Sequence, residues 1–145
     1  MSSYIVKIIP ENDKIVPSQT ERTSIINQLK EVTSSTEIIE RLYDEVTFID
    51  AGANFEGIAC NHCLRELDTG WWAEQVDVSS SNKFNDLLVT TPCCCSLVSL
   101  NELKYIWPAG FAKYAIELLN PDEADVIEIE KITSAQSFKL IRAHY

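Results

Sequence analysis

The chain has 145 residues, 46% of them hydrophobic and 9% aromatic, which fits one folded domain and excludes a disordered tail or a miniprotein held by disulfides. Twelve Lys and Arg against 22 Asp and Glu give a net charge of -10, so duplex DNA, RNA and anionic lipid, which need a concentrated basic surface, are not expected partners. The opening apolar run is broken by Lys7 and Pro10, and no stretch is long and apolar enough to span a bilayer. The expectation is a cytoplasmic protein with reduced thiols.

In chain order, residues 4–9 are β-rich and end at Pro10, which predicts a first strand. Ile25, Ile26, Leu29 and Val32 recur at helical spacing behind Ser18, Thr20 and Glu21, which predicts a helix over 19–32 capped by Ser18 or Thr20. The polar run from Thr33 to Thr36 ends it, and Thr36 is expected to cap a short second helix through Ile38, Ile39, Leu42 and Tyr43. Strands follow at 46–50 and 55–59, joined by a turn at Gly52, and one or two helical turns at 70–76. Residues 87–90 and 96–100 make a hairpin with Pro92 and a cysteine triplet at its tip.

Between Pro108 and residue 119 the set Phe111, Ala115, Leu118 and Leu119 lies on one helical face, which predicts a helix. Asn120, Pro121, Asp122 and Glu123 form a second helix start, with Asn120 as cap and Pro121 at the first helical position. Val126 to Glu130 also alternates as a strand would, but the start signal decides for helix. Residues 138–144 read as a last strand. The whole predicts one α+β domain over 1–145, with a small mixed or antiparallel sheet, packed helices and a zinc-ribbon-like hairpin unit embedded at 55–100.

All five cysteines fall in two patches, Cys60-Asn61-His62-Cys63 and Thr91-Pro92-Cys93-Cys94-Cys95. A structural zinc ion takes four soft ligands in a tetrahedron, and two short turns, each supplying a pair, meet that need with little chain strain. Cys60 and Cys63 form one pair. In a tight turn Cys93 and Cys94 both face inward, whereas in a strand Cys93 and Cys95 would share a face; Pro92 favours the turn. The expected ligands are therefore Cys60, Cys63, Cys93 and Cys94 on a structural zinc. The intervening segment, 64–92, is longer than the roughly 15 to 20 residues of a standard ribbon, though loop closure entropy grows only slowly with length. Leu64 and Cys95 or Ser96 stand where glycine often eases such a turn.

The CxxC at 60–63, a downstream tryptophan (Trp71 or Trp72), the Thr91 to Cys94 turn, the Ser-Leu-Asn-Glu-Leu segment at 99–103 and the Tyr-x-Trp-Pro-x-Gly-Phe-Ala segment at 105–112 together resemble a group of uncharacterised bacterial proteins. The resemblance extends loosely through Asn120 and Pro121 to the terminal Arg142, Ala143, His144 and Tyr145. It implies that the two cysteine pairs are metal ligands, with Cys95 in place of a more usual glycine, and it implies no activity.

Other features have plainer readings. His62 is expected to point outward from its turn, and His144 to be an ordinary strand residue. Trp71, Trp72 and Trp107 are expected to cover the cysteine hairpin, with one of the adjacent pair partly exposed. Glu117, Asp122, Glu123, Asp125, Glu128 and Glu130 read as a solvated acidic helix face, and Asp50 with Glu56 as a weak candidate for paired catalytic carboxylates. Function is expected to be that of a zinc-stabilised module whose acidic surface meets a basic protein partner. The alternative is a cysteine-dependent enzyme with an open zinc site or a redox dithiol.

Overall fold

The computed structural model describes residues 3–33 and 37–145. Its frame is a four-stranded antiparallel sheet in the order β2-β8-β1-β9, formed by β1 (Tyr4–Pro10), β2 (Glu37–Ile49), β8 (Gly110–Leu119) and β9 (Phe138–His144). Two helices, α1 (Gln19–Val32) and α3 (Glu123–Ser134), lie on one face. Ile25 and Leu29 of α1, with Val126 and Ile129 of α3, pack there on Val6, Ile8, Tyr114, Ile116 and Leu118. Helices segregated to one face of an antiparallel sheet make the α+β class that the element pattern predicts.

The helix starts are set by local hydrogen bonds. Ser18 caps α1 by accepting from the Glu21 amide at 3.2 Å, and its hydroxyl donates to the Glu21 carboxylate at 3.0 Å. Asp122, and neither Asn120 nor Pro121, caps α3, accepting from the Asp125 amide at 2.9 Å. Asn120 instead takes a left-handed conformation, φ 50°, and its side chain accepts from the Tyr4 amide at 3.1 Å. Thus the helical reading of 126–130 is right and its start lies two residues further on.

Two expected helices are strands. The segment with Ile38, Ile39, Leu42 and Tyr43 belongs to β2, at the sheet edge; the proposed cap Thr36 lies outside the described residues. The apolar pairs fall on both faces of the edge, with Ile38 packing under the helices and Tyr43 on the other side, so the spacing mimics a helix. The segment 108–119 holds β8, which sits between β2 and β1. A central strand buried on both faces shows no alternation, and here Phe111, Ala112, Tyr114, Ala115 and Ile116 are all fully buried.

Beyond one end of this sheet lie the cysteine-bearing segments. β3 (Gly57–Ala59) and β4 (Glu66–Leu67) make a three-stranded sheet with β7 (Lys104–Ile106), in the order β4-β3-β7. β5 (Leu88–Thr90) and β6 (Leu97–Ser99) form a separate hairpin. Helix α2 (Thr69–Ser80), capped by Asp68, connects them and is longer than the one or two turns expected. A shared core of Ile58, Leu67, Val89, Val98, Leu100, Tyr105 and Phe111 holds these pieces to the end of β8.

Polar groups complete the join. The buried Asn101 accepts from the Phe111 amide at 2.8 Å and donates to the Glu11 carbonyl at 3.0 Å. A Cβ at Gly110 would lie 2.9 Å from the Asn101 amide oxygen, 3.0 Å from Ile9 Cδ1 and 3.1 Å from Lys139 Nζ, so a larger residue would have to displace these side-chain ends. Lys139 donates to the carbonyls of Asn101 and Ala109, and burial lowers its pKa.

Candidate metal centre

Both cysteine segments adopt the same backbone turn. In the first, the Leu64 amide donates to the Cys60 carbonyl at 3.0 Å and the Cys60 amide to the Arg65 carbonyl at 2.9 Å. In the second, Cys95 donates to Thr91 at 3.0 Å and Thr91 to Ser96 at 3.0 Å. Leu64 has φ 65° and Cys95 φ 57°, so each turn passes through one left-handed residue at the same place. By these bonds the two turns correspond position for position: Thr91 to Cys60, Cys93 to His62, Cys94 to Cys63 and Cys95 to Leu64.

This equivalence settles where the second pair of sulfurs comes from. Thr91 occupies the first cysteine position, and its hydroxyl oxygen accepts from the Ser96 amide at 3.2 Å. The sulfur missing there is supplied by Cys93. Cys95 occupies the left-handed position, is exposed and lies outside the sulfur cluster.

The Sγ atoms of Cys60, Cys63, Cys93 and Cys94 all lie within 4.8 Å of one another and can hold a metal ion. Cys60 Sγ is 3.8 Å from Cys94, Cys63 Sγ is 3.3 Å from Cys93, and Cys93 Sγ is 3.8 Å from Cys94. Cys60 is fully buried, Cys63 and Cys93 are half-buried, and Cys94 is at the solvent edge. The four are the residues singled out by spacing.

Hydrogen bonds to the sulfurs set their acidity. The Cys63 and His62 amides lower the Cys60 thiol against the opposing effect of burial, His62 N lying 3.4 Å from the sulfur. The Ser96 and Thr91 hydroxyls, at 3.1 and 3.5 Å, bring Cys94 down to about 6. Burial and the Cys63 sulfur push Cys93 up to about 11. Since thiolates are the ligating form, the surroundings of Cys60 and Cys94 favour ligation, while burial and the neighbouring sulfur oppose it at Cys93.

Aromatic side chains wall the cluster on the protein side. Trp72 stacks on Phe55 at 5.4 Å, meets Phe48 and Tyr105 edge-on, and donates its indole N–H to the Tyr105 hydroxyl at 3.1 Å. Trp71 packs against the same core while half exposed. Trp107 is more exposed and donates to Glu56 at 3.3 Å.

The remaining sequence candidates go elsewhere. His62 is exposed and acts through its backbone. His144 stacks on Tyr4 and meets Asn54 at 3.1 Å. Glu117 lies on β8 and pairs with Arg41 rather than sharing a helix face with the acids of α3. Asp50 is turned from Glu56 toward Lys7 and Tyr145.

That last contact is a cluster that motif reading does not find. The Lys7 ammonium, with only 8% of its side chain exposed, donates to the Asp50 carboxylate at 3.1 Å, to the Asp50 carbonyl at 3.0 Å and to the Tyr145 hydroxyl. Tyr145 in turn donates to Asp50 at 2.9 Å. A lysine set among the apolar residues of a strand is the one available signal.

The fold and the sulfur cluster define a small α+β protein with four cysteines that can hold a metal ion. Comparison of the chain with protein-family models, with curated proteins and with solved structures finds no match. Among the described residues, no helix is long and apolar enough to cross a membrane.

Proposed function

We propose that Cys60, Cys63, Cys93 and Cys94 bind one structural zinc ion, and that the protein is a zinc-stabilised interaction module presenting an acidic surface to a basic protein partner. The observation that carries the zinc reading is the sulfur geometry. Zn–S bonds of about 2.3 Å in a tetrahedron place the sulfurs about 3.8 Å apart, the separation of two of the three close pairs. The Cys63–Cys93 pair at 3.3 Å would open by about 0.5 Å on the same basis.

A structural role rather than catalysis is favoured by the closed donor set. Four sulfurs fill a tetrahedron and leave no position for water or substrate, and Cys95, the fifth, is aimed elsewhere by its left-handed backbone. The interaction role rests on the net charge of -10. Elemental analysis of the purified protein tests the metal: one zinc per chain is expected, and Cys60→Ser should lose it. A protein purified without zinc, or a Cys60→Ser variant that keeps both zinc and melting temperature, would overturn the reading.

A further inference from the structure

The outer edge of β2 pairs with nothing among the described residues. An unpaired strand edge presents every second residue's N–H and C=O outward and is a template for another strand. Here the regular part is residues 37–42, in register with β8 from Glu37↔Leu119 to Leu42↔Tyr114, before the register shifts between Leu42 and Thr47. Six residues is an ordinary strand length.

The chemistry along that edge is one-sided. Within 37–42 β2 carries Glu37 and Glu40 against a single Arg41, and Asp44 and Glu45 follow where the register shifts. Arg41 is held by Glu117 at 3.3 Å, Glu40 accepts from the Tyr114 hydroxyl at 2.6 Å, and Glu45 pairs with Lys83 at 3.6 Å. Glu37 and Asp44 have no ion pair among the described residues. Beside them Leu42 is 56% exposed, an apolar contact for a neighbouring side chain on the helix-covered face.

A second copy of the chain is a poor occupant, because it would bring its own Glu37 and Glu40 to the seam, with Asp44 and Glu45 just beyond it and a net charge of -10. An extended segment carrying Lys or Arg at alternate positions satisfies both the backbone edge and the charge. We infer that β2 residues 37–42 receive an extended basic segment of a partner protein as a fifth, antiparallel strand. This names the partner chemistry of the acidic interaction module proposed above and rests on that reading.

The test uses the whole zinc-analysed protein and a fluorescent peptide of alternating Lys and Val, read by anisotropy and by amide hydrogen exchange. Binding with protection gained at residues 37–42 is expected. N-methylating the peptide amides on one edge only should cost about ten-fold or more in affinity, the equivalent of one to two backbone hydrogen bonds, while methylating the other edge costs little. Glu37→Lys with Asp44→Lys should weaken binding without changing zinc content.

Equal loss from methylating either edge, or protection outside β2, would mean charge attraction alone and overturns strand addition. So does a dimer whose protection falls on β2 without peptide. Failure of the peptide to bind a zinc-loaded protein sinks this inference and leaves the metal reading standing. Binding by a protein without zinc does the reverse.

Discussion

Removing the metal should loosen one part of the molecule and spare the other. A bound ion would tie Cys60 to Cys94, 34 positions apart, and the chain-entropy relation for a cross-link of that span gives about 4 kcal/mol. For a chain of this size, that corresponds to a fall in melting temperature on the order of 10 °C. The strands beside the cysteines are too short to hold alone: β3, β5 and β6 have 3 residues each. The helix-covered core of Val6, Ile8, Ile25, Leu29, Tyr114 and Ile116 contains no residue of those strands. Chelation with a strong zinc chelator, followed by hydrogen exchange and mass spectrometry, should therefore raise exchange across residues 57–67 and 88–99. Protection of β1 and of α1 should be retained. Uniform loss of protection, or none at all in a protein shown to release zinc, would refute the idea that the ion fastens the cysteine segments alone.

Cys95→Gly should keep the metal and raise stability by up to about 1 kcal/mol, because a left-handed residue without Cβ is relieved of strain; Cys94→Gly at the neighbouring position should lose the metal, and paired zinc analysis and melting curves distinguish them. Lys7→Met should cost about 1.5–3 kcal/mol, the range for hydrogen bonds to charged groups, measured by urea unfolding. Its cost should depend on pH in a defined direction. Burial opposes ionisation of Asp50, but hydrogen bonds from Lys7 and Tyr145 prevail and lower its pKa, so its contribution is present above the ordinary carboxylate pKa and lost as pH falls through the lowered value. Burial works against the Lys7 charge, yet the bonds to Tyr145 and Asp50 raise its pKa, and Tyr145 is raised chiefly by burial; both contributions are present below about pH 10 and lost as pH rises through the raised values. The difference between wild type and Lys7→Met should thus be widest between about pH 5 and pH 9. Phe111→Ala, at a fully buried ring 5.1 Å from Phe48 and 5.3 Å from Phe84, should cost about 3–5 kcal/mol in the same assay.

The elements that could be read from the sequence are those whose signals are local. α1 is bounded by the Ser18 cap and a buried stripe, and the expected span 19–32 is the observed one. β9 is likewise found at 138–144. The strand expected at 46–50 falls in the last part of β2, but β8 and the first part of β2 were not legible, for opposite reasons. β8 is central and covered on both faces, so its apolar residues run on without alternation and can be fitted to a helical stripe at Phe111, Ala115 and Leu118. β2 is an edge strand with a register shift in its middle, so neither a strand period nor a helix period holds over its length. In both cases the deciding fact is which strands lie alongside, and pairing between residues 37–49 and 110–119 is invisible to a local window.

The cysteine cluster was legible for a different reason: a tight turn constrains which side chains converge almost independently of the surrounding fold. What spacing alone left undecided was whether Cys93 is partnered by Cys94 or Cys95, and the answer lies in backbone conformation. In both turns the residue whose amide bonds back four positions takes a left-handed backbone conformation as the chain leaves, and in the second turn that residue lies outside the sulfur cluster. Leu64 fills this place in one segment and Cys95 in the other. The chain thus builds two equivalent turns from unlike sequences by moving one sulfur from the first position to the third and placing the Thr91 hydroxyl where a cysteine would stand. That substitution has a chemical consequence: Thr91 contributes a hydrogen bond toward Cys94 instead of a fifth sulfur. Thr91→Val should then leave the four sulfurs in place but raise the Cys94 pKa, so that thiol alkylation of the metal-stripped protein at pH 7 slows at Cys94 and not at Cys95. Equal slowing at both would show that the hydroxyl acts on the turn as a whole rather than on the one sulfur it faces.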